Sequence, residues 1–383
     1  MVIGRGRIYQ RVRTPVETGT TPAPPLEVDA MQDRIRVVAI DTPHCLVSKQ
    51  IKYHMETLEG KGFKSSVIDF PDLGSGLDQV SSGRLDILAV PAKLALSLTD
   101  SITNKGCQIV GARTPRRPSP ILISPNRLMY QPKSAIIVCE IEIVKRQLLR
   151  ARPDLVVIHP ERVKDSIDCE NIPRDEISRS IWLGNLLQDG KIDGFVSSRK
   201  QYDDSGQSER RHTLLPFPQE RGGPHFLPPA YSDLIAIVCR HGSPQELENT
   251  LTESEGNTVL WVQSRVMGGI SDSMRNAIGI QVRHRQVGAL LRQAEEYRDI
   301  VLEQACHNSE GEIIEEEVRV EVRIETISSN GSRTIGLDRL VAKREFQHAT
   351  ISLLRDWDVL VSESSRKVPK DHQTDTEAPS FLQ

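Results

Sequence analysis

Apolar and polar positions in the first half of the chain follow the periods of strands and helices in turn. Apolar runs of strand length occupy residues 35–40, 67–70 and 85–90. Between the first two runs, residues 47–58 carry apolar side chains at helical spacing. Thr42-Pro43 predicts the start of that helix, with Thr at the N-cap and Pro at the first helical position. This succession is typical of a parallel sheet covered by helices.

A second unit repeats the first one. Residues 135–138, 155–158 and 192–196 predict strands, and the segments between them predict helices. Residues 83–86 read Gly-Arg-Leu-Asp before a strand of the first unit, and residues 190–193 read Gly-Lys-Ile-Asp before the matching strand of the second. The same short motif at matching points of two strand–helix–strand units predicts an internal duplication.

The remaining pattern predicts a returning strand and a smaller domain. Residues 234–239 form an apolar run that is expected to return to the first lobe. Further along, residues 259–267 predict a helix, residues 277–282, 300–305 and 318–324 predict strands, and residues 337–357 predict a final amphipathic helix. The predicted fold class is therefore α/β: two duplicated periplasmic-binding-protein-like α/β lobes plus a small C-terminal α+β domain.

These patterns divide the chain into five segments. Lobe 1 takes residues 33–117 together with 230–243, lobe 2 takes residues 118–229, and the C-terminal domain takes residues 247–362. Residues 1–32 and 363–383 are expected to be disordered tails, because they are polar and contain proline. Two lobes of this kind enclose a cleft, and ligands of such sheets bind beyond the carboxyl ends of the strands.

Composition narrows the possible partners. A formal net charge of −3 argues against a nucleic-acid-binding surface, and no apolar run approaches the ~20 residues that span a membrane. The six cysteines lack metal-site spacing, which favours buried thiols in a cytoplasmic protein and no bound metal. The N-terminus is rich in arginine and poor in acidic residues, so mitochondrial targeting is the alternative location.

Four short segments and the order of elements resemble porphobilinogen deaminase, also called hydroxymethylbilane synthase. The segments are Leu85-Asp86-Ile87-Leu88-Ala89 followed by Lys93, Arg152-Pro153-Asp154-Leu155, Leu234-Ile235-Ala236-Ile237-Val238-Cys239-Arg240 after Pro228, and Ser264-Arg265-Val266. The resemblance covers residues 33–360 or so. It implies two lobes and a third domain around a cleft that, in the family, holds a dipyrromethane cofactor and a polycarboxylate substrate.

The residues that perform the chemistry of that family are replaced in this chain. Arg275 or a neighbour stands where the family attaches its cofactor through Cys, and Leu94 follows Lys93 where the family has its catalytic Asp. Ile40 and the pair Ile143-Val144 occupy positions of arginines that bind substrate carboxylates. We therefore expect a divergent member of the family, with no cofactor and without hydroxymethylbilane synthase activity.

The first functional hypothesis is a repurposed enzyme. It would bind a neutral small organic metabolite in the inter-lobe cleft and convert it by a cyclisation or isomerisation, in a specialised-metabolite pathway. Two alternatives stay open: a non-catalytic small-molecule-binding protein of the same fold, and a true porphobilinogen deaminase of tetrapyrrole biosynthesis. Compaction on ligand binding with no product formed would favour the binding protein.

Candidate site residues are the polar residues of loops that follow the predicted strands. Solvated loop residues and helix caps would have the same pattern, so this structural interpretation stays open for each of them. The candidate catalytic residues are Asp41, His44, Glu140 and Glu142, and the candidate substrate-binding residues are Lys93, Arg116, Arg117 and Asp165.

Overall fold

The computed structural model describes residues 34–59, 64–70, 72–114, 120–166, 172–218 and 223–364. The strands in chain order are β1 (Arg34–Ala39), β2 (Lys64–Asp69), β3 (Ile87–Pro91), β4 (Cys107–Arg113), β5 (Ile121–Ile123), β6 (Ile136–Val138), β7 (Val156–Ile158), β8 (Gly194–Ser197), β9 (Arg211–Thr213), β10 (Ile235–Arg240), β11 (Ile278–Gln286), β12 (Val318–Ile327) and β13 (Thr334–Ala342).

The α-helices alternate with these strands. They are α1 (Val47–Glu59), α2 (Leu73–Ser81), α3 (Ala92–Ser97), α4 (Thr99–Asn104), α5 (Glu142–Ala151), α6 (Val163–Ser166), α7 (Glu176–Gln188), α8 (Arg199–Asp204), α9 (Gln245–Leu251), α10 (Ser254–Gly269), α11 (Val287–Tyr297), α12 (Ile300–Gln304) and α13 (Phe346–Ser364).

The two lobes have sheets of the same layout. Lobe 1 has the strand order β2-β1-β3-β10-β4, and lobe 2 has the order β7-β6-β8-β5-β9. In each sheet the third strand in the order pairs in parallel with the second and antiparallel with the fourth. Strand β10 therefore returns to lobe 1, as predicted, and occupies in lobe 1 the place that β5 occupies in lobe 2.

The repeated Gly-basic-apolar-Asp motif makes the same hydrogen bonds in both lobes. Gly83 and Gly190 have φ of 75° and 69°, the left-handed conformation that suits glycine after a helix. The Asp86 carboxylate accepts a hydrogen bond from the Arg36 backbone N–H at 2.9 Å. In lobe 2, the Asp193 carboxylate accepts one from the Ile136 N–H at 2.8 Å. The predicted equivalence of the two strand starts is confirmed.

A three-stranded antiparallel sheet, β11-β12-β13, forms the C-terminal α+β part together with α10 and α13. Helix α10 packs closely on β4 of lobe 1: a Cβ at Gly256 would lie 2.2 Å from the Ala112 carbonyl oxygen. The Asn257 side chain accepts a hydrogen bond from the Ala112 N–H at 2.8 Å. On the other side, α5 of lobe 2 contacts β12, where Arg146 donates to the Ile327 carbonyl at 2.7 Å.

Three predicted elements differ from the structure. Helix α1 begins at Val47 rather than near Thr42, because Thr42 and Cys45 close a tight turn through two backbone hydrogen bonds. Residues 300–305, predicted as a strand, form the short helix α12, which Asp299 caps by accepting from the Leu302 N–H. The final helix begins at Phe346, since residues 334–342 pair with β12 as strand β13.

The structure confirms the fold class: two periplasmic-binding-protein-like α/β lobes and a small C-terminal α+β domain. Within the described ranges, no helix is long and apolar enough to cross a membrane. The expected tail of residues 1–32 and nearly all of the expected tail after residue 362 lie outside the described residues. Cys45, Cys107, Cys139, Cys239 and Cys306 are buried and free, and Cys169 lies outside the described residues.

Candidate functional site

The cleft lies where the carboxyl-end edges of the two lobe sheets face each other. In lobe 1, β10 runs antiparallel to β3, and its first residue, Ile235, pairs with Pro91 at the carboxyl end of β3. Residues 231–234 therefore share an edge with the turn after β1. In lobe 2, the corresponding edge carries Glu140 after β6 and residues 197–200 at the end of β8. Two direct contacts between residues 43–44 and lobe 2 join these edges.

Arg199 and Asp233 form an unsatisfied pair of opposite charges across this cleft. Arg199 is the first residue of α8, and it donates to the Thr213 hydroxyl at 3.0 Å through one terminal nitrogen. Its Nε is buried and has no hydrogen-bond partner among the described residues. Burial raises the pKa of Asp233 to about 6, against the opposing effect of the Arg199 guanidinium. Unpartnered groups of this kind are typical of sites that await a ligand.

The backbone beside Asp233 has an uncommon conformation. Tyr231 and Asp233 have φ of 62° and 54°, in the left-handed region that residues other than glycine seldom adopt. Hydrogen bonds hold this segment in place: the Tyr231 N–H donates to the Gln263 side chain at 2.7 Å, and the Ala92 N–H donates to the Leu234 carbonyl at 2.7 Å. Such conformations persist where neighbouring structure enforces them, and they cluster at functional sites.

Asp41 and Cys45 belong to the segment after β1 in lobe 1, where Asp41 is exposed and Cys45 is buried in the core. The Asp41 carboxylate accepts a hydrogen bond from the Ser48 N–H at 2.8 Å, so it caps the first turn of α1. Burial raises the pKa of the Cys45 thiol, and the carboxylates of Asp233 and Asp41 raise it further. Cys45 is therefore a protonated thiol with little nucleophilic character.

His44 contacts the opposite lobe directly. Its Nε2 lies 3.3 Å from a carboxylate oxygen of Glu176, the first residue of α7 in lobe 2. Next to it, the Ser198 hydroxyl donates to the Pro43 carbonyl at 3.0 Å. The side chains of His44 and Glu176 are 56% and 37% exposed, so water competes for this ion pair. An exposed ion pair of this kind contributes little to holding the lobes together.

The two candidate glutamates lie in different environments. Glu140 is exposed beside the cleft, and both of its carboxylate oxygens lie 3.3 Å from Arg179 of lobe 2. They border a small cavity of about 30 Å³ at the carboxyl ends of β6 and β8. Glu142 instead pairs with Arg146 at 2.7 Å, one turn along α5. Since Arg146 also contacts β12, Glu142 supports the junction with the C-terminal domain.

Of the four candidate substrate-binding residues, Lys93 is the one with a described side chain. Lys93 is exposed on α3, directly after the carboxyl end of β3. Arg116 and Arg117 lie outside the described residues, and Asp165 lies in α6 with its side chain outside the description. Of the eight candidates, the structure brings Asp41 and His44 together at one cleft edge and Glu140 to the other. The roles assigned to them stay predictions.

Sequence reasoning missed the pair that best defines the cleft. Arg199 follows the strand predicted at residues 192–196, so the rule that selects loops after strands would have found it. Asp233 comes before a strand and could be placed at this edge only once β10 was known to run antiparallel to β3. Within the described ranges, no group of three His, Cys, Asp or Glu side chains could hold a metal ion.

Comparison with known proteins finds similar solved structures but no similar sequence family. The sequence matches no family model and no curated protein. One similar solved structure is a periplasmic substrate-binding protein of an ABC transporter from Coxiella burnetii, at 14% identity, with 60% of this chain and 95% of that chain covered and a TM-score of 0.31. Another is lipoprotein Tp32 from Treponema pallidum, at 14% identity, with 57% and 90% covered and a TM-score of 0.31.

A third similar structure is a nutrient-binding protein from Burkholderia cenocepacia bound to methionine. It is 14% identical to this chain, with 57% of this chain and 89% of that chain covered and a TM-score of 0.30. Likeness at this level does not identify the ligand of this chain.

These neighbours correct the expected family, function and location. They are substrate-binding proteins and lipoproteins rather than porphobilinogen deaminases. The resemblance to that family was wrong, and with it the hypothesis of a repurposed cyclase or isomerase in a biosynthetic pathway. The neighbours include a lipoprotein and a periplasmic protein, which does not support the expected cytoplasmic location.

The error has a physical reason. Many two-lobed α/β proteins share one order of elements, so that order does not distinguish their functions. The matched segments also have structural roles here. Arg152 pairs with Asp154 at 2.7 Å and donates to the Leu128 and Met129 carbonyls, while Asp86 caps a strand start. Residues with local structural roles of this kind occur at similar places in unrelated proteins.

Proposed function

We propose that this chain is a non-catalytic binding protein whose two lobes close on a small zwitterionic ligand, such as an α-amino acid. The observation that carries the proposal is the Arg199–Asp233 pair: a cation from lobe 2 and an anion from lobe 1, both short of partners. A ligand carboxylate would pair with the guanidinium, and a ligand ammonium would pair with the Asp233 carboxylate. Such a ligand has no net charge.

Weak contacts between the lobes support the same proposal. The His44–Glu176 pair is exposed, and within the described part of the chain the Ser198 hydroxyl adds a hydrogen bond to the Pro43 carbonyl. A binding protein that works by hinge closure needs lobes that separate easily and a ligand that adds the missing contacts. The buried state of Cys45 fits this role, because it leaves the cleft without an activated thiol.

The test is titration calorimetry of the full chain with a panel of α-amino acids, beginning with L-methionine. We expect binding by at least one amino acid, and at least tenfold weaker binding by its decarboxylated and N-acetylated analogues, since each lacks one charge. Arg199→Gln and Asp233→Asn should each weaken binding at least tenfold. Lys200→Gln is the matched control, because Lys200 follows Arg199 in α8 but pairs with Asp204.

Scattering and product analysis separate binding from catalysis. Ligand should reduce the radius of gyration, and the ligand should be recovered unchanged after prolonged incubation. Conversion of the ligand, or binding that is equally strong without either charge, would contradict the proposal. Affinity should also fall as the pH drops below 6 or so, because protonation removes the Asp233 charge that the ammonium needs.

A further inference from the structure

A second concave site lies on lobe 2, at the end of its sheet that points away from the cleft. Strand β5 runs antiparallel to β8, and Ile123 at its carboxyl end pairs with Phe195 near the start of β8. The turn after β5 and the start of β9 surround a cavity of about 470 Å³. This volume falls within the range of about 300–1,000 Å³ that is common for small-molecule sites.

The walls of this cavity are held in place by the fold. On one wall, Arg152 donates to the carbonyls of Leu128 and Gln131, and the Gln131 side chain donates to the Asn126 carbonyl at 2.7 Å. On the other wall, the Ser124 N–H donates to the Arg210 carbonyl at 3.0 Å. A site whose backbone is already ordered loses little entropy when it binds a ligand.

Positive charge dominates the lining. The cavity is lined by Pro125, Asn126, Arg127, Tyr130, Arg210, Arg211 and His212, with no carboxylate among them. Arg211 pairs with Asp203 at 3.1 Å, just outside the lining. Among the described residues, no carboxylate lies within ion-pair distance of Arg127 or Arg210. Two guanidinium groups therefore face an open cavity without a counter-charge.

His212 adds a polar group of known orientation to the lining. Its Nε2 lies 3.1 Å from the Ser124 carbonyl oxygen, which can only accept, so Nε2 carries the hydrogen and Nδ1 is left as the second ring nitrogen. At the rim, Tyr130 is 75% exposed and presents its ring to an incoming ligand. The cavity thus combines exposed arginine side chains with an aromatic face.

We propose that this cavity binds a small molecule that carries a phosphate monoester next to an aromatic ring. Guanidinium groups bind phosphate oxygens through paired N–H donors, and two of them without partners match a doubly charged anion. The cavity is larger than a phosphate group alone needs, and the Tyr130 ring can stack on a planar group beside the phosphate. The site is separate from the inter-lobe cleft and does not depend on what the cleft binds.

The experiment measures binding of AMP to the full chain by titration calorimetry, with inorganic phosphate, adenosine and citrate as comparison ligands. We expect AMP to bind at least tenfold more tightly than phosphate, and adenosine not to bind. Arg127→Ser and Arg210→Ser should each reduce AMP affinity at least tenfold. Tyr130→Ser should bring the affinity for AMP down to that for phosphate. Arg127→Lys keeps the charge without the paired donors and should lose affinity to an intermediate extent.

Two control variants make the result specific. Arg355→Ser removes an exposed arginine on α13 and should leave AMP affinity unchanged, because that residue does not line the cavity. Arg199→Gln, in the cleft, should also leave it unchanged. The proposal is overturned if AMP does not bind, if citrate binds more tightly than AMP, or if phosphate equals AMP. Equal losses in Arg355→Ser would show unspecific attraction of anions, and loss in Arg199→Gln would place AMP in the cleft.

Discussion

Glu325 of the C-terminal domain and Asp233 of lobe 1 carry carboxylates whose pKa values are shifted in opposite directions. Glu325 of β12 lies at the junction with lobe 2, where it accepts hydrogen bonds from Arg150 at 2.7 Å, Gln147 at 2.8 Å and His225 at 2.9 Å. Burial alone would raise its pKa, but the hydrogen bonds from His225 and Arg150 lower it to about 2. At the cleft, burial raises the pKa of Asp233 to about 6, and Arg199 offsets little of that.

The difference shows how structural and binding sites can be distinguished. At the junction, both carboxylate oxygens of Glu325 accept hydrogen bonds, so the ionised form is favoured. These bonds join β12 of the C-terminal domain to lobe 2. At the cleft, the ionised form of Asp233 is disfavoured, and the Arg199 Nε on the facing lobe has no partner among the described residues. A charged side chain without a partner lowers the stability of the fold. Proteins keep such a side chain where a ligand supplies the missing partner.

The largest effect is expected from Glu325→Gln. The neutral amide cannot hold Arg150 and His225 as the carboxylate does, and it leaves the half-buried Arg150 guanidinium without the Glu325 counter-charge. A pKa lowered from 4.5 to about 2 corresponds to about 3 kcal/mol of stability. Urea unfolding at pH 7 should therefore show a loss of about 3 kcal/mol in the free energy of unfolding.

The pH dependence of the stability of Glu325→Gln distinguishes the loss of the carboxylate charge from a disturbance of packing. Because the folded-state pKa of Glu325 lies below its ordinary value, its contribution is present above pH 4.5 and is lost as the pH falls toward 2. The difference between wild type and Glu325→Gln should shrink over that range. A difference that stays constant down to pH 2.5 or so would mean that the amide disturbs packing, and that the carboxylate charge is not what joins the domains.

Asp233→Asn should increase the free energy of unfolding, whereas Glu325→Gln lowers it. The folded-state pKa of about 6 exceeds the ordinary 3.8, so the ionised carboxylate opposes folding above that range. Removing the charge should raise the free energy of unfolding by roughly 1–2 kcal/mol at pH 7, which is less than the full shift because the group is only half-buried. The gain should vanish at pH 3, where Asp233 is protonated in the folded and the unfolded protein alike. No gain at pH 7 would mean that Arg199 already compensates Asp233.

Much of the fold could be predicted from the sequence because its determinants are local. The strand starts at residues 83–86 and 190–193 use a left-handed Gly and a capping Asp, and both are visible in a short motif. Strand β13 and helix α12 were missed for the complementary reason. Strand β13 depends on pairing with β12, and α12 is a five-residue helix whose apolar residues Ile300 and Val301 are exposed.

For the candidate site, strand order predicts positions and leaves roles untested. Asp41, His44 and Glu140 follow strands at the carboxyl-end edges, and the roles assigned to them stay predictions. Glu142 lies two residues beyond Glu140, yet it pairs with Arg146 toward the C-terminal domain, and only tertiary contacts determine that. The charge pair of Arg199 and Asp233 comes from segments 34 residues apart and from different lobes, so no local pattern reports it.

His44→Gln should have the smallest effect on stability and a distinct effect on the cleft. The His44–Glu176 pair is exposed, and pairs of that kind contribute about 0–1 kcal/mol, so the free energy of unfolding should change by less than about 0.5 kcal/mol. The matched control is Lys52→Gln, because Lys52 pairs with Asp69 within lobe 1 and both side chains are comparably exposed. Only the His44 variant loses a contact between lobes, so only it should increase the radius of gyration of the ligand-free protein in small-angle scattering. Equal radii for the two variants would mean that the Ser198–Pro43 hydrogen bond and the hinge segments determine the closed arrangement without His44.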